Sequence, residues 1–421
     1  MNKKYFFCES IPLIVFVGLS YLVLSQATNI PFWDEWFVPT LFDHYYSGTL
    51  TLKYLVFVHG DHVLAFPQII ILLMGILTQW DVRIELFINL ALGLYIYLLY
   101  RFVVLKMSNN TKNQNILLLP IVGIFVFSFV QWHNWTWGWQ MQIFISIATS
   151  LTTLFILTFK NINIKNLLIA IFFSLLSSFS FASGISLWII GILLIAIRAN
   201  KPILYLLWAI PSAACFYIYY LLRPKQLSLE NISLIDSIEY IIIYIGNPVS
   251  PWREDIVFFI GLAGVFLLFI CLFLNRDLDD YSLFFLSIII FVIMTAILTS
   301  IGRSHHLDSP TVSRYSSFSI HYWIAIICLI FKPGKSRNFL VKNLRHISIL
   351  VIPILSIIIS YASIDSFYVK KERTLIINYL LDPSSVPENQ VNFKAIIWNR
   401  AYLERQVALL KKYQLSFYAN P

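Results

Sequence analysis

Long apolar runs recur from residue 6 to residue 365 of the chain, and nothing else constrains its fold as strongly. About 20 such residues in helical form cross the ~30 Å hydrocarbon core of a bilayer, and lipid excludes any backbone that leaves its polar groups unpaired. Runs fall at roughly 6–26, 84–105, 116–131, 140–159, 167–182, 185–198, 202–223, 255–274, 281–301, 317–332 and 346–365, with 63–79 as a doubtful extra. The sequence therefore predicts an all-α polytopic helical membrane protein with about 11 transmembrane helices. Two soluble domains would fit 421 residues by length, but not a chain that is 59% hydrophobic and 12% charged. Several runs are short, so some helices must be tilted, broken or in-plane.

Cys8, Cys215, Cys271 and Cys328 lie inside or at the edge of these runs, with no CxxC spacing and no neighbouring histidine. They read as buried apolar residues, neither disulfides nor metal ligands. The net charge of +9 is spread over short loops between spans, the pattern that orients a membrane protein, and does not point to nucleic acid. The first run has no small-residue cleavage site and reads as a retained signal anchor. No fixed-period repeat or inverted repeat stands out.

Lys3 and Lys4 place the N-terminus inside. If 63–79 does not cross, the basic loops "KMSNNTK" (106–112), "KNINIK" (160–165), "RANK" (198–201) and "KPGKSRNFLVKNLRH" (332–346) all face the cytoplasm, so that choice is preferred. Residues 63–79, with Pro67 near their start, then form an in-plane or re-entrant helix on the outer face beside a cavity. The expected organisation is a transmembrane domain over 1–365, whose first outer loop is 27–83, followed by an outer helical segment over 366–421.

The same parity gathers polar and aromatic motifs on one face. In "FWDEW", Asp34 and Glu35 sit between Trp33 and Trp36. Ring burial there raises a carboxylate's pKa and suits it to general-base work, although solvated loop charges within an interfacial belt are the plainer alternative. "VHGDHVLAFP" adds His59, Asp61 and His62 around a glycine that allows a tight approach. These residues suit hydrogen bonds to a polar substrate or to the acidic pair; they offer at most half of a metal site. In "QWHNWTWGWQ", Trp132, Trp135, Trp137 and Trp139 alternate with Gln131, His133, Asn134 and Gln140. A belt accounts for two of these tryptophans, whereas flat rings flanked by amides suit a sugar, with its apolar C–H faces and hydroxyl edges.

"IGRSHHLDSPTVSRYSSF" supplies Arg303, His305, His306, Arg314 and Tyr315 on the outer side, where arginine is disfavoured without a reason. Guanidinium groups bind phosphate oxygens in bidentate fashion, so a phosphate cradle is expected, with pairing to Asp308 or to lipid headgroups as the alternative. "SSFSFASGIS" (177–186) signals close helix packing. Residues 392–418 can form an amphipathic helix with Leu403, Val407 and Leu410 on one side, expected to cap the outer cavity.

An acidic pair in the first outer loop, with aromatics and arginines on the same face, resembles the GT-C class of integral-membrane glycosyltransferases across nearly the whole chain. Asp34-Glu35-Trp36 matches that class's short "DEx" pattern. Size and an outward C-terminus also look like the phage-type, serotype-converting O-antigen glucosyltransferases. The resemblance implies inverting transfer of a hexose, glucose by preference, from undecaprenyl-phosphate-sugar to a cell-surface polysaccharide such as O-antigen or to a lipid-linked acceptor. Asp34 or Glu35 would be the base. It further implies a bacterial inner-membrane protein with its active site on the periplasmic side and its donor tail among membrane lipid. No second acidic motif appears, so no cofactor is expected, and a divalent metal is the less favoured option. Nucleic acid is not an expected partner. The rivals are a lipid-linked sugar flippase or transporter, an O-antigen polymerase or ligase, and an acyltransferase with His59 or His62 as base.

Overall fold

The computed structural model describes residues 3–109, 114–222, 233–250, 253–274, 277–303, 309–332 and 339–419. Among them nine helices are long and apolar enough to cross a membrane, so the chain is an all-α, multi-pass membrane protein. The first helices are α1 (Lys3–Ser25), α2 (Val38–Tyr46), α3 (Leu52–Leu55), α4 (Ala65–Thr78), α5 (Arg83–Asn109) and α6 (Leu118–Val126). Next come α7 (Trp132–Thr136), α8 (Met141–Phe159), α9 (Ile164–Ser178), α10 (Ser186–Arg198), α11 (Pro202–Leu222) and α12 (Leu234–Gly246). The rest are α13 (Glu254–Leu274), α14 (Asp280–Arg303), α15 (Ser313–Phe331), α16 (Phe339–Ser363), α17 (Lys370–Leu381) and α18 (Arg400–Tyr413). Leu13 on α1, Tyr217 on α11 and Phe266 on α13 are among the large apolar side chains left exposed, as lipid-facing helices require.

Three features depart from the sequence expectation. A two-stranded hairpin, β1 (Val58–His59) and β2 (His62–Val63), interrupts the first loop, because Gly60 adopts φ +55° and closes the turn. The expected 116–131 span runs on as a broken helix to Thr136 through a 3-10 turn at Phe129–Gln131. Helix α16 starts at Phe339 and so takes in part of what reads as a basic loop.

Side-chain contacts define the two ends of the bundle. At one end the Lys106 ammonium lies 4.7 Å from the centre of the Phe159 ring. Arg198 donates there to the Leu157 and Lys160 carbonyls and pairs with Asp280 at 3.0 Å. Lys332 pairs with Asp279 at 2.9 Å, and Arg345 donates to the Lys332 carbonyl. The described parts of all four basic segments therefore meet at one end.

Helix α4 stays at the other end. Just after its start, the Phe66 N–H donates to the Phe179 carbonyl. Beyond its finish, Val82 N–H donates to Asn29 Oδ1 and Ser416 N–H to the Gln79 carbonyl. Fourteen residues make about 21 Å of helix, too short for the hydrocarbon core. Helices α9 and α10 are also short, at 15 and 13 residues, yet they run from Lys160 and Arg198 up to the segment 179–185. Their turn packs tightly on α8. A β-carbon at Gly184 would collide with the Ser177 backbone, and Ser146, Ser150, Ser177 and Ser183 share buried hydroxyl hydrogen bonds.

The C-terminal segment docks on the first loop. Helix α18 buries Leu403 and Leu410 fully and Val407 partly. Tyr402 donates to the Trp36 carbonyl, Tyr413 to Asp43, and Lys412 pairs with Asp43 at 3.1 Å.

Candidate functional site

The "WDEWF" stretch forms a 3-10 turn, Trp33–Phe37, that Glu35 builds. Its Oε2 accepts the Phe32 N–H at 2.7 Å, closing the turn as a capping-box glutamate does, and its Oε1 accepts the Trp139 N–H at 2.8 Å. Glu35 is 1% exposed, and burial pushes its pKa up to about 7, against the lowering pull of those two N–H groups and of the Arg373 guanidinium. The Asp34 charge adds to the rise. Glu85, also buried, accepts from the Trp80 indole at 3.0 Å. Gly138 fits between the two carboxyls: a β-carbon there would lie 2.5 Å from Glu85 Oε2 and 3.1 Å from Glu35 Oε1. Arg373 covers the cluster, its guanidinium 4.4 Å from the centre of the Phe32 ring and donating to the Thr136 carbonyl.

This turn holds Glu35 inward and presents Asp34 to a cavity of about 460 Å³. Asp34 Oδ2 lies 3.3 Å from His59 Nε2. His59 pairs across the hairpin with His62, so both point to the same face, and both line the cavity. His62 stacks on Phe181 at 3.9 Å and accepts the Ala182 N–H on Nδ1. Burial, reinforced by Arg303, His59 and Arg314, pushes its pKa down to about 3. The ring is neutral at physiological pH, with its proton on Nε2.

Arg303, Arg314 and Tyr315 complete the wall, joined by His133, Trp137, Gln140 and Trp33. Arg303 ends α14 and Arg314 opens α15. The lead-in to Arg314 is fixed by Asn247, whose side-chain amide donates to the Pro310 and Val312 carbonyls at 2.5 and 3.1 Å. His133 Nδ1, Trp137 Nε1 and the Tyr315 hydroxyl are buried there with no hydrogen-bond partner among the described residues. His305 and His306 lie outside the described residues.

Other expected contacts are closed off from this cavity. Trp36, Asn134 and Trp135 are fully buried. Trp135 packs on Phe144 and Gly93 and donates to the Ser128 carbonyl, while the Asn134 amide donates to the Arg314 carbonyl and to Ser317. Trp132, half-buried, lies against the His133 ring at a tilt and packs on the edge of the core. The broken helix is the cause, since each change of winding turns successive tryptophans in different directions. Asp61 lies over Gly302, where a β-carbon would come within 2.5 Å of its Oδ2, and faces the adjoining spaces.

Three lining residues lie outside the motifs, Gln142, Ile143 and Trp398, and two lie inside them but not among the expected contacts, Phe32 in "FWDEW" and Phe181 in "SSFSFASGIS". A lone tryptophan in the polar "WNRAY" stretch is the signal for Trp398, whereas Gln142 and Ile143 carry none. A small space bordered by His62, Phe181, Arg303 and Tyr315 lies between the cavity and an apolar groove of about 210 Å³ and shares lining residues with each. Tyr219, Leu222, Leu298 and Ile301 line that groove, with Asp61, Ala182 and Gly302 at the junction. Among the described residues no group of three or more His, Cys, Asp or Glu is arranged to hold a metal ion. Comparison with protein-family models, with curated proteins and with solved structures returned no match to this chain.

Proposed function

We propose that this chain is a GT-C-type glycosyltransferase that moves a hexose from a polyprenyl-phosphate carrier to a polysaccharide acceptor, with Asp34 as the base. One observation carries the reading. A carboxylate held by a histidine and two guanidinium-bearing side chains share a single cavity, and an apolar groove lies beside it across a small shared wall. Its volume suits a small polar ligand. Arg303 and Tyr315 border the small space between cavity and groove, whereas Asp34, His59, Trp33 and Trp398 do not. The phosphate end of a donor therefore belongs near Arg303 and Arg314 with its tail in the groove, and the acceptor belongs near Asp34.

Depth supports a lipid-borne donor. Helices of 13 and 15 residues, roughly 20–22 Å, reach from the basic end to the cavity floor at Phe181, so the floor lies below the far edge of a ~30 Å core. A lipid headgroup reaches it without its tail leaving the membrane. With the basic end in the cytoplasm and eleven crossings, the site opens on the periplasmic side of a bacterial inner membrane.

In this reaction Asp34 takes the proton of an acceptor hydroxyl. The oxygen bonds to the anomeric carbon with inversion as the carbon–phosphate oxygen bond breaks, and the electron pair leaves on the lipid phosphate. Arg303 and Arg314 stabilise that growing charge, and the His62 Nε2–H and Tyr315 hydroxyl add donors. His59 orients Asp34. The test is the mass of the surface polysaccharide repeat with wild type and with Asp34→Asn at matched membrane levels. Wild type adds one hexose per repeat, and the Asp34→Asn change lowers the rate by about 10²-fold or more. Equal addition by the variant, or none by wild type, overturns the reading. In the second case the groove would be tested for passage of a lipid-linked sugar.

A further inference from the structure

The cavity's outer rim carries two tryptophans that packing does not explain. Trp36, Trp80, Trp135, Trp188 and Trp208 are fully buried, but Trp33 is 36% and Trp398 57% exposed. They lie side by side, ring centres 6.0 Å apart and planes 36° apart. The arrangement is built: the Trp33 N–H donates to the Ile396 carbonyl at 2.7 Å, and Trp33 holds φ +49°, a left-handed conformation that a bulky residue adopts at a cost. Phe37 backs Trp398 at 6.4 Å.

An interfacial belt does not account for Trp398. It lies in the C-terminal segment beyond the membrane-spanning helices, two residues before Arg400, which pairs with Glu388 and Glu404, in a stretch whose Arg405, Lys411 and Lys412 are exposed. Neither ring borders the apolar groove or the small space beside it. Trp33 is instead the chain neighbour of Asp34.

We infer that Trp33 and Trp398 form the platform on which the acceptor sugar ring stacks, with Trp398 setting acceptor specificity. This rests on the transfer reading above. The residue that removes a proton must lie within hydrogen-bond reach of the acceptor hydroxyl, so the ring bearing that hydroxyl covers the neighbouring indole. Carbon atoms in contact sit about 3.5–4.0 Å apart, so a sandwiched pyranose would need roughly twice that between the rings. At 6.0 Å the pair leaves no room for a sugar between its rings, so a sugar would stack on the open side of the pair.

The test uses full-length protein in nanodiscs and, as probe, the oligosaccharide repeat released by mild acid from the host's surface polysaccharide. Saturation-transfer NMR reads its binding without any donor. Wild type should transfer saturation to the C–H protons of one ring, Trp398→Ala should lose it, and Trp398→Tyr should keep most of it. With polyprenyl-phosphate hexose added, Trp398→Ala should raise the acceptor KM by on the order of tenfold and leave the donor KM unchanged. No saturation transfer from the wild type, or equal transfer from Trp398→Ala, overturns the platform. If wild type binds the oligosaccharide in this way but adds no hexose, the platform stands and the transfer reading falls.

Discussion

Asp34 and Glu35 are adjacent in sequence and opposite in role. The carboxylate of Glu35 is consumed by two backbone N–H groups, whereas Asp34 meets His59 at the cavity wall. Glu35→Gln keeps one acceptor and turns a donor toward the other N–H. An unpaired buried amide costs about 1–3 kcal/mol, so thermal unfolding in detergent should show a loss of that size at pH 8, while Asp34→Asn stays near wild type. The pH dependence follows from the raised pKa. Between 4.5, the ordinary value, and about 7 the folded state holds more protons at Glu35 than the unfolded state does, so this residue's contribution to stability falls as pH rises through that window and is flat above it. Glu35→Gln should remove that slope, and unfolding midpoints measured from pH 4.5 to 8 would show whether it does. The sequence made both acids visible as a pair but not which one faces the cavity, because that depends on Trp139 arriving from more than a hundred residues away.

At the scale of elements, periodicity and small residues carried most of the information. The apolar runs become helices, and the serine-rich stretch at 177–186 becomes a tight turn against α8. Breaks in winding did not show in the pattern. "QWHNWTWGWQ" reads as one aromatic surface, yet the 3-10 turns on either side of α7 send Trp137 to the cavity and Trp135 into the core. The pair α12 and α13 shows how an element distant from the chemistry positions it. A β-carbon at Gly246 would collide with the Val257 carbonyl oxygen, and one at Gly261 with that of Ile242. Backbone cannot swing aside as a flexible side chain can, so Gly261→Ala must push α12 away, and Asn247 at its end carries the 310–312 segment and Arg314 with it. Overpacking of this kind costs about 1–3 kcal/mol. Binding of undecaprenyl phosphate to the purified variant should weaken beyond what the lost stability explains, and unchanged affinity would separate Arg314 from this support.

For the whole molecule, the decisive question is which end faces the cytoplasm. Lys106, Lys160, Arg198 and Lys332 meet at one end, and Asn29, α4, the cavity and the docked C-terminal segment share the other. Under the proposed orientation positive-inside bias puts the cavity outside, with α4 staying at the end where it began. All four cysteines are buried, so single cysteines can be placed on a quiet background. Asn161 lies in the basic loop between α8 and α9, and Gln390 lies in the C-terminal segment; both are exposed. A membrane-impermeant maleimide applied to intact spheroplasts should label Gln390→Cys and leave Asn161→Cys unlabelled until the membrane is opened. The reverse pattern would place the cavity in the cytoplasm, where nucleotide-activated sugars are available in solution, and would remove the reason for a lipid-borne donor. Labelling of both from outside would mean that α9 no longer starts on the side opposite the C-terminal segment. An odd number of crossings between Asn161 and Gln390 is therefore what the bundle's two-ended charge pattern requires.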